Sequence, residues 1–225
     1  MRKRKAKVVA LVPMRHYSRR VHQKNYRDFN GKPLFYWILK TLSSSSMIDS
    51  VYVDTDSVVI KRKAPKISHK IRIIDRPSQL CSDLIPMNEI LLYDVSQVDA
   101  DYYLQTHSTN PLLKKKTIEN AIKTLLKAKG KDSLFSVTRL QTRLWDKNCQ
   151  PMNHDLHKLK RTQDLPPIYE ENSNIYIFTR KSIEENRNRI GKNPIFFEIP
   201  KNEAWDIDEA IDFEIARCLT QLKLK

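Results

Sequence analysis

KVVALVPMRHYSRRVHQKN, residues 7–25, begins as a strand and ends as a cluster of cations. KVVALV (7–12) is short, apolar and rich in β-branched residues, the composition of a strand buried on both faces. Pro13 lacks the N–H that would extend the ladder. The loop 12–25 then carries Arg15, Arg19, Arg20 and Lys24, two histidines and no glycine. That charge has two physical readings: a solvated surface turn, or a segment built to hold a strongly anionic ligand. Where strands alternate with helices, ligands sit beyond the carboxyl ends of strands, at the switch in strand order. The residue after Val12 is such an end. Arg15, Ser18, Arg19, Arg20 and Lys24 would there face phosphate groups, with guanidinium planes suited to bidentate contacts.

The rest of the chain alternates. VYVDT (51–55), IRIID (71–75), DYYLQ (101–105), SLFSVT (133–138), NIYIFT (174–179) and IFFEI (195–199) read as short strands. PLFYWILKTLSSS (33–45), PMNEILLYDVSQV (86–98), KTIENAIKTLLKAK (116–129) and IDEAIDFEIARCLTQL (207–222) read as helices, with Pro33 and Pro86 in first-turn positions. This order predicts an α/β domain spanning 1–225, with a mainly parallel sheet covered on both faces. Residues 139–173 break the rhythm and are expected to form an excursion, a small lobe or a dimerisation arm.

Composition bounds the function. Hydrophobic residues at 40% and charged residues at 30% fit a soluble globular protein. Lys and Arg total 41 against 26 Asp and Glu, a net charge of +15 that suits nucleic acid, an anionic surface, a polyanionic small substrate, or simply a lysine-rich exterior. No paired-His finger spacing, aromatic RNP box or basic heptad region accompanies the charge. The basic N-terminus is followed by too short an apolar run for a signal core or membrane span. Cys81, Cys149 and Cys218 lie far apart and match no zinc or disulfide pattern, which favours a reducing cytoplasm.

The order of residues narrows these choices. Arg15, Ser18, Arg19, Lys24 and Asn25 are followed by NGKPLFYWILKTL (30–42), VYVDTDS (51–57) and DRPSQLCSD (75–83). YLQTHSTNPLL (103–113), RTQDLPPIYEENSNIYIF (161–178) and WDIDEAIDFEIA (205–216) complete the series. It resembles, over nearly the whole chain, the CMP-acylneuraminate (CMP-sialic acid) synthetases, a cytidylyltransferase family related to the CMP-Kdo synthetases. There are departures. His16 and Tyr17 stand where the family has a glycine pair, Arg19 where it has lysine, and His22 where proline is common.

The resemblance implies a three-layer nucleotidyltransferase (Rossmann-like) fold that transfers CMP from CTP to the anomeric hydroxyl of a 2-keto sugar acid, releasing pyrophosphate. It implies catalytic roles for Arg15 and Lys24, and CTP contacts from Ser18, Arg19, Asn25, Arg76 and Asp83. Gln105, Arg161 and Gln163 would meet the sugar acid, the last two across a homodimer. For Arg76 and Asp83 a strand-end salt bridge or cap competes with nucleotide contact. Asp206 and Asp208, two apart in an extended segment, point to one face and suit Mg²⁺, which takes few protein carboxylates and keeps water and phosphate oxygens. The competing reading is a cap and first-turn acid on the last helix. His107, His154 and His157 fit no compact ligand set and are expected as polar loop residues. CMP-Kdo synthetase, a non-catalytic homologue in a glycan pathway and a basic nucleic-acid-binding protein remain as alternatives.

Overall fold

The computed structural model describes residues 4–221. Met1–Lys3, which open the basic N-terminus, and Leu222, the last residue of the expected final helix, lie outside them. The elements run β1 (Val8–Leu11), β2 (Asp28–Phe29), β3 (Lys32–Pro33), α1 (Leu34–Ser44), β4 (Ser50–Thr55), α2 (Val58–Lys63), β5 (Ile71–Asp75) and α3 (Met87–Gln97). There follow β6 (Tyr102–Gln105), α4 (Lys115–Lys127), β7 (Ser133–Leu140), β8 (Ile168–Phe178), α5 (Arg180–Asn186), β9 (Pro194–Glu198) and α6 (Ala210–Gln221). Seven strands form one sheet in the order β5-β4-β1-β6-β8-β7-β9. It is mainly parallel; only β8 runs against its neighbours β6 and β7.

The apolar run at 8–12 is used on both faces, as its continuity requires. Val8, Ala10 and Val12 pack with Phe35, Ile38 and Leu39 of α1 and Ile118, Ala121 and Ile122 of α4. Val9 and Leu11 point the other way, against Leu91 and Val95 of α3 and Ile183 of α5. The result is three layers, with α1 and α4 over one face and α3 and α5 over the other. β1 has β4 on one side and β6 on the other, so strand order switches direction beside it.

A third cluster holds α6 against the start of the chain: Phe213 and Ala216 pack with Phe29, Leu34 and Ile207. Phe29 belongs to the β2–β3 hairpin, whose turn places Asn30 at φ 53° and Gly31 at φ 78°. Two consecutive left-handed residues match the twist of a two-residue hairpin, and Asn-Gly tolerates them best. This cluster brings residues 205–209 to the cationic loop.

Strand β8 starts at Ile168, earlier than the alternation indicated, and α6 starts at Ala210 rather than 207. The irregular part of the excursion is therefore 141–167, its flanks being strand. Between Phe135 and Val137 the β7–β8 register shifts. Ser136 fills the gap: its Oγ donates to Asn172 Oδ1 at 2.5 Å and accepts from the Ile175 N–H at 2.8 Å.

Candidate active site

The loop after β1 is shaped by side chains. Its first residues continue the parallel ladder along β4, with Val12 N–H on Tyr52 O and Met14 N–H on Asp54 O, both at 2.8 Å. His16, where the resemblance expects a glycine, does not use glycine's freedom; within 12–25 only Gln23 has a positive φ, 54°. The His16 N–H instead donates to Asp56 Oδ1 at 2.7 Å, and its ring nitrogen lies 2.8 Å from Ser57 Oγ. Its ring also stacks on Tyr26. Asn25 ties the loop to the end of β6: its Nδ2 donates to Arg15 O at 2.7 Å and its Oδ1 accepts from Ser108 Oγ at 2.6 Å.

These ties shape a cleft of about 620 Å³ at the switch in strand order, lined by Arg15, Ser18, Arg19, Arg20, Lys24, Asn25, Arg76, Asp83, Asp206 and Asp208 among others. Each loop cation already meets a carboxylate. Arg15 and Arg19 both pair with Asp83. Arg20 Nη2 lies 2.7 Å from Asp208 Oδ1, and Lys24 Nζ 3.6 Å from the same oxygen. Lys24 Nζ also donates to Ile207 O at 2.7 Å. Burial pulls the Lys24 ammonium below its ordinary value, against the opposing pull of Asp208 and Asp206. A stronger anion can replace such partners, because partly exposed ion pairs contribute little each.

Residues 205–208 belong to neither helix nor strand, and the Ile207 N–H donates to Thr109 O at 3.0 Å. The helix cap is made by another residue: Asp212 Oδ2 accepts from the Asp208 and Glu209 N–H groups at 3.1 and 2.8 Å. That is the reach-back half of a capping box, and it leaves both cleft carboxylates available. Asp206 Oδ1 is buried with no hydrogen-bond partner. Burial, above all, pushes the Asp206 carboxyl up. A buried carboxylate oxygen without a donor beside a second carboxylate fits a hard divalent cation that takes its other ligands from water and phosphate. Among the described residues no group of three or more His, Cys, Asp or Glu gathers as a complete metal cage.

Other candidates divide. Arg76 lines the cleft; its Nε bonds both oxygens of Asp54 at 3.0 and 3.1 Å, a strand-end salt bridge, while its Nη1 is buried with no hydrogen-bond partner. Gln105 is fully buried at the end of β6 and spends its amide on Thr106 O, His107 Nε2 and Arg189 Nη1. Arg161 and Gln163 are not brought to this cleft. Arg161 pairs with Asp164 on the excursion, at 2.7 and 3.2 Å, and Gln163 lines a separate depression with Arg139 and Lys201.

His107 lies in the loop after β6, as expected, but it is not a bystander there. It lines the cleft, contacts Gln105 at 3.0 Å, and burial pulls its imidazole down to about 3, with Arg189 and Lys24 adding to the effect. It stood two residues beyond Gln105, inside a stretch already singled out. Arg189, in contrast, lies in a polar loop with no local pattern to mark it.

The sequence and the fold are similar to those of known proteins. A family model described as cytidylyltransferase matches residues 9–224. The chain is 30% identical over 230 residues to CMP-N,N'-diacetyllegionaminic acid synthase of Legionella pneumophila, covering 96% of this chain and 97% of that protein. It is 25% identical over 222 residues to the pseudaminic acid cytidylyltransferase and UDP-2,4-diacetamido-2,4,6-trideoxy-beta-L-altropyranose hydrolase of Helicobacter pylori, covering 96% of this chain but 43% of that protein. It spans about half the length of several other curated relatives. A CMP:2-keto-3-deoxy-manno-octonic acid synthetase solved with CTP superposes with a TM-score of 0.72 at 14% identity, over 97% of this chain and 100% of that one, a likeness of fold. The ordered motifs, the layered sheet and the family match over 9–224 agree: this chain belongs to the cytidylyltransferase family.

Proposed function

We propose that the protein transfers CMP from CTP to the anomeric hydroxyl of an acylneuraminate-type 2-keto sugar acid and releases pyrophosphate, for cell-surface glycan synthesis in the cytoplasm. The observation that carries this reading is the convergence of Arg15, Arg19, Arg20 and Lys24 with Asp206 and Asp208 on one cleft. The hydroxyl oxygen bonds to the α-phosphorus as the bond to the bridging β-phosphate oxygen breaks, and the hydroxyl proton passes to water or a phosphate oxygen. Little covalent work falls to the protein in such a transfer; positioning and charge neutralisation dominate.

Arg15 and Arg19 would exchange Asp83 for phosphate oxygens, and Lys24 would hold phosphate from the half-buried base of the loop. Asn25 fixes the loop backbone against Ser108. Asp206 and Asp208 would hold Mg²⁺, which when bound offsets charge developing on the phosphates. The excursion would pair two chains, presenting Arg161 and Gln163 to a neighbour's cleft. Relatives named for N-acylneuraminate, pseudaminic and diacetyllegionaminic acids support the acceptor class. The octulosonic-acid alternative is matched by fold alone. Retained cations and carboxylates in one cleft favour an enzyme over a scaffold or a nucleic-acid surface.

The test is pyrophosphate release from CTP and Mg²⁺ with a panel of eight- and nine-carbon 2-keto sugar acids. Turnover with at least one nine-carbon acid is expected. Folded protein that binds CTP yet turns over none of them would overturn the reading.

A further inference from the structure

Arg189 is a half-buried cation whose nearest charged neighbour, Glu171, acts on it from beyond ion-pair distance. Its guanidinium lies 3.6 Å over the Tyr176 ring, and its Nη1 donates to Gln105 Oε1 at 2.8 Å. Its backbone N–H donates to Asn88 Oδ1 at 3.3 Å, at the start of α3, where Met87 and Ile90 line the cleft. No carboxylate lies within ion-pair distance of Arg189 among the described residues, whereas Arg187, two residues earlier, reaches Glu89. Glu171 accepts the Tyr176 hydroxyl at 2.5 Å. Tyr176 itself stays a neutral phenol, pushed up to about 12, chiefly by burial. Burial also pulls the Arg189 guanidinium below its ordinary value.

Removing a guanidinium from water without a counter-ion is unfavourable. The ring face and the Gln105 amide hold the planar group, and Gln105 in turn contacts His107 at the cleft wall. A planar fork so held is suited to a carboxylate. Arg161 differs in place: it pairs with Asp164 on the excursion and does not line this cleft.

We propose that Arg189 receives the carboxylate of the acceptor substrate and sets the enzyme's preference for an acid over an uncharged sugar. This assignment rests on the transfer to a 2-keto sugar acid proposed above. Gln105 orients the guanidinium and acts through it.

The experiment compares wild type, Arg189→Gln and Arg189→Lys, each with the acid and with its C1 methyl ester. Arg189→Gln should raise KM for the acid about ten- to a hundredfold, the loss of one charge-assisted contact, while KM for CTP stays within about twofold. Its preference for acid over ester should fall by a similar factor. Arg189→Lys, which keeps charge but loses the fork, should fall between; it carries the test alone should the glutamine variant unfold. An unchanged acid KM, or a raised one with the acid-over-ester preference intact, would overturn the assignment. Wild type that turns over no acid at all would instead overturn the transfer reaction, and this assignment with it.

Discussion

Two groups of arginine and aspartate stand at the carboxyl ends of neighbouring strands and serve opposite ends. Around the loop after β1, Arg15 and Arg19 share Asp83, and Arg20 and Lys24 share Asp208; the Arg19 side chain is 83% exposed. One strand away, Arg76 and Asp54 pair with side chains 1% and 0% exposed. The residue types are the same and the surroundings are not. Open to water, a carboxylate can be exchanged for a phosphate at small cost. Sealed from it, the same pair cannot open without leaving a bare charge inside the protein. The first group is suited to binding, the second to scaffolding, and substitutions should separate them.

The largest effect belongs to the buried pair. Arg76→Met leaves Asp54 buried beside Asp94 with no cation, and should destabilise the fold by about 3–5 kcal/mol. Chemical denaturation of the purified variant measures this. A variant as stable as wild type, with weaker CTP binding, would move Arg76 from the scaffold to the binding group and break the contrast.

Next come the cleft carboxylates. Asp208→Asn keeps the shape but not the charge needed to draw a hydrated cation from water. Turnover should drop about a hundred- to a thousandfold, the range seen when one stabiliser of developing charge is removed. The melting temperature should hold, since Asp212 rather than Asp208 caps α6. Asp206→Asn should behave alike, and excess Mg²⁺ should restore part of either variant's activity. Pyrophosphate release across a Mg²⁺ titration decides it. Full activity in both variants would mean the metal is held elsewhere.

How much of this was legible beforehand follows the range of each signal. The strand at 7–12 announced itself because burial on both faces demands an unbroken apolar run. The parallel order followed from alternation, and the expectation that Asp206 and Asp208 share one face from their two-residue spacing; both line the cleft. Short α2 and α5, of six and seven residues, escaped because so few turns display little period. The Asn30–Gly31 hairpin was written in a known turn pair but was absorbed into the following helix motif. Arg189 was not legible at all. Its role depends on Tyr176 and Gln105, residues that only the sheet brings near. Asp54 and Asp94, 40 positions apart in the numbering, likewise meet only once β4 and α3 pack.

A smaller loss is expected in the exposed group. Arg15→Ala and Lys24→Ala should each raise KM for CTP about tenfold, the worth of one charge-assisted hydrogen bond. Stability should change little for Arg15, which is half-open to water. Lys24, with a side chain only 13% exposed and bonded to Ile207 O, should cost somewhat more. Initial rates at saturating sugar acid read the CTP term. Unchanged KM in both variants would make the loop surface decoration and place the nucleotide elsewhere.

The smallest effect tests the buried group from inside. Asp54 is pushed up to about 6 by burial, with Arg76 pulling the other way. Asp94 is pushed well above the carboxylate range by burial and by the charge of Asp54. Neither Asp94 oxygen meets an N–H or hydroxyl donor, whereas both Asp54 oxygens accept from Arg76 Nε, which favours keeping the proton on Asp94 and the charge on Asp54. Both folded values lie above the unfolded ones, so the folded state binds more protons in that window. Stability is therefore highest at low pH and falls as pH rises from about 4 through the raised value of each group, about 6 for Asp54, each contributing at most about 1.4 kcal/mol per pH unit. Asp94→Asn keeps a donor for Asp54 and removes the group that must stay protonated. The variant should match wild type near pH 5 and exceed it near pH 8, narrowing the melting-temperature gap between the two by about 2–4 °C for each kcal/mol recovered. Calorimetry at the two pH values gives that gap directly. A variant less stable at both would mean that Asp94 is ionised in the fold, and that the buried group is held by charge rather than by a shared proton.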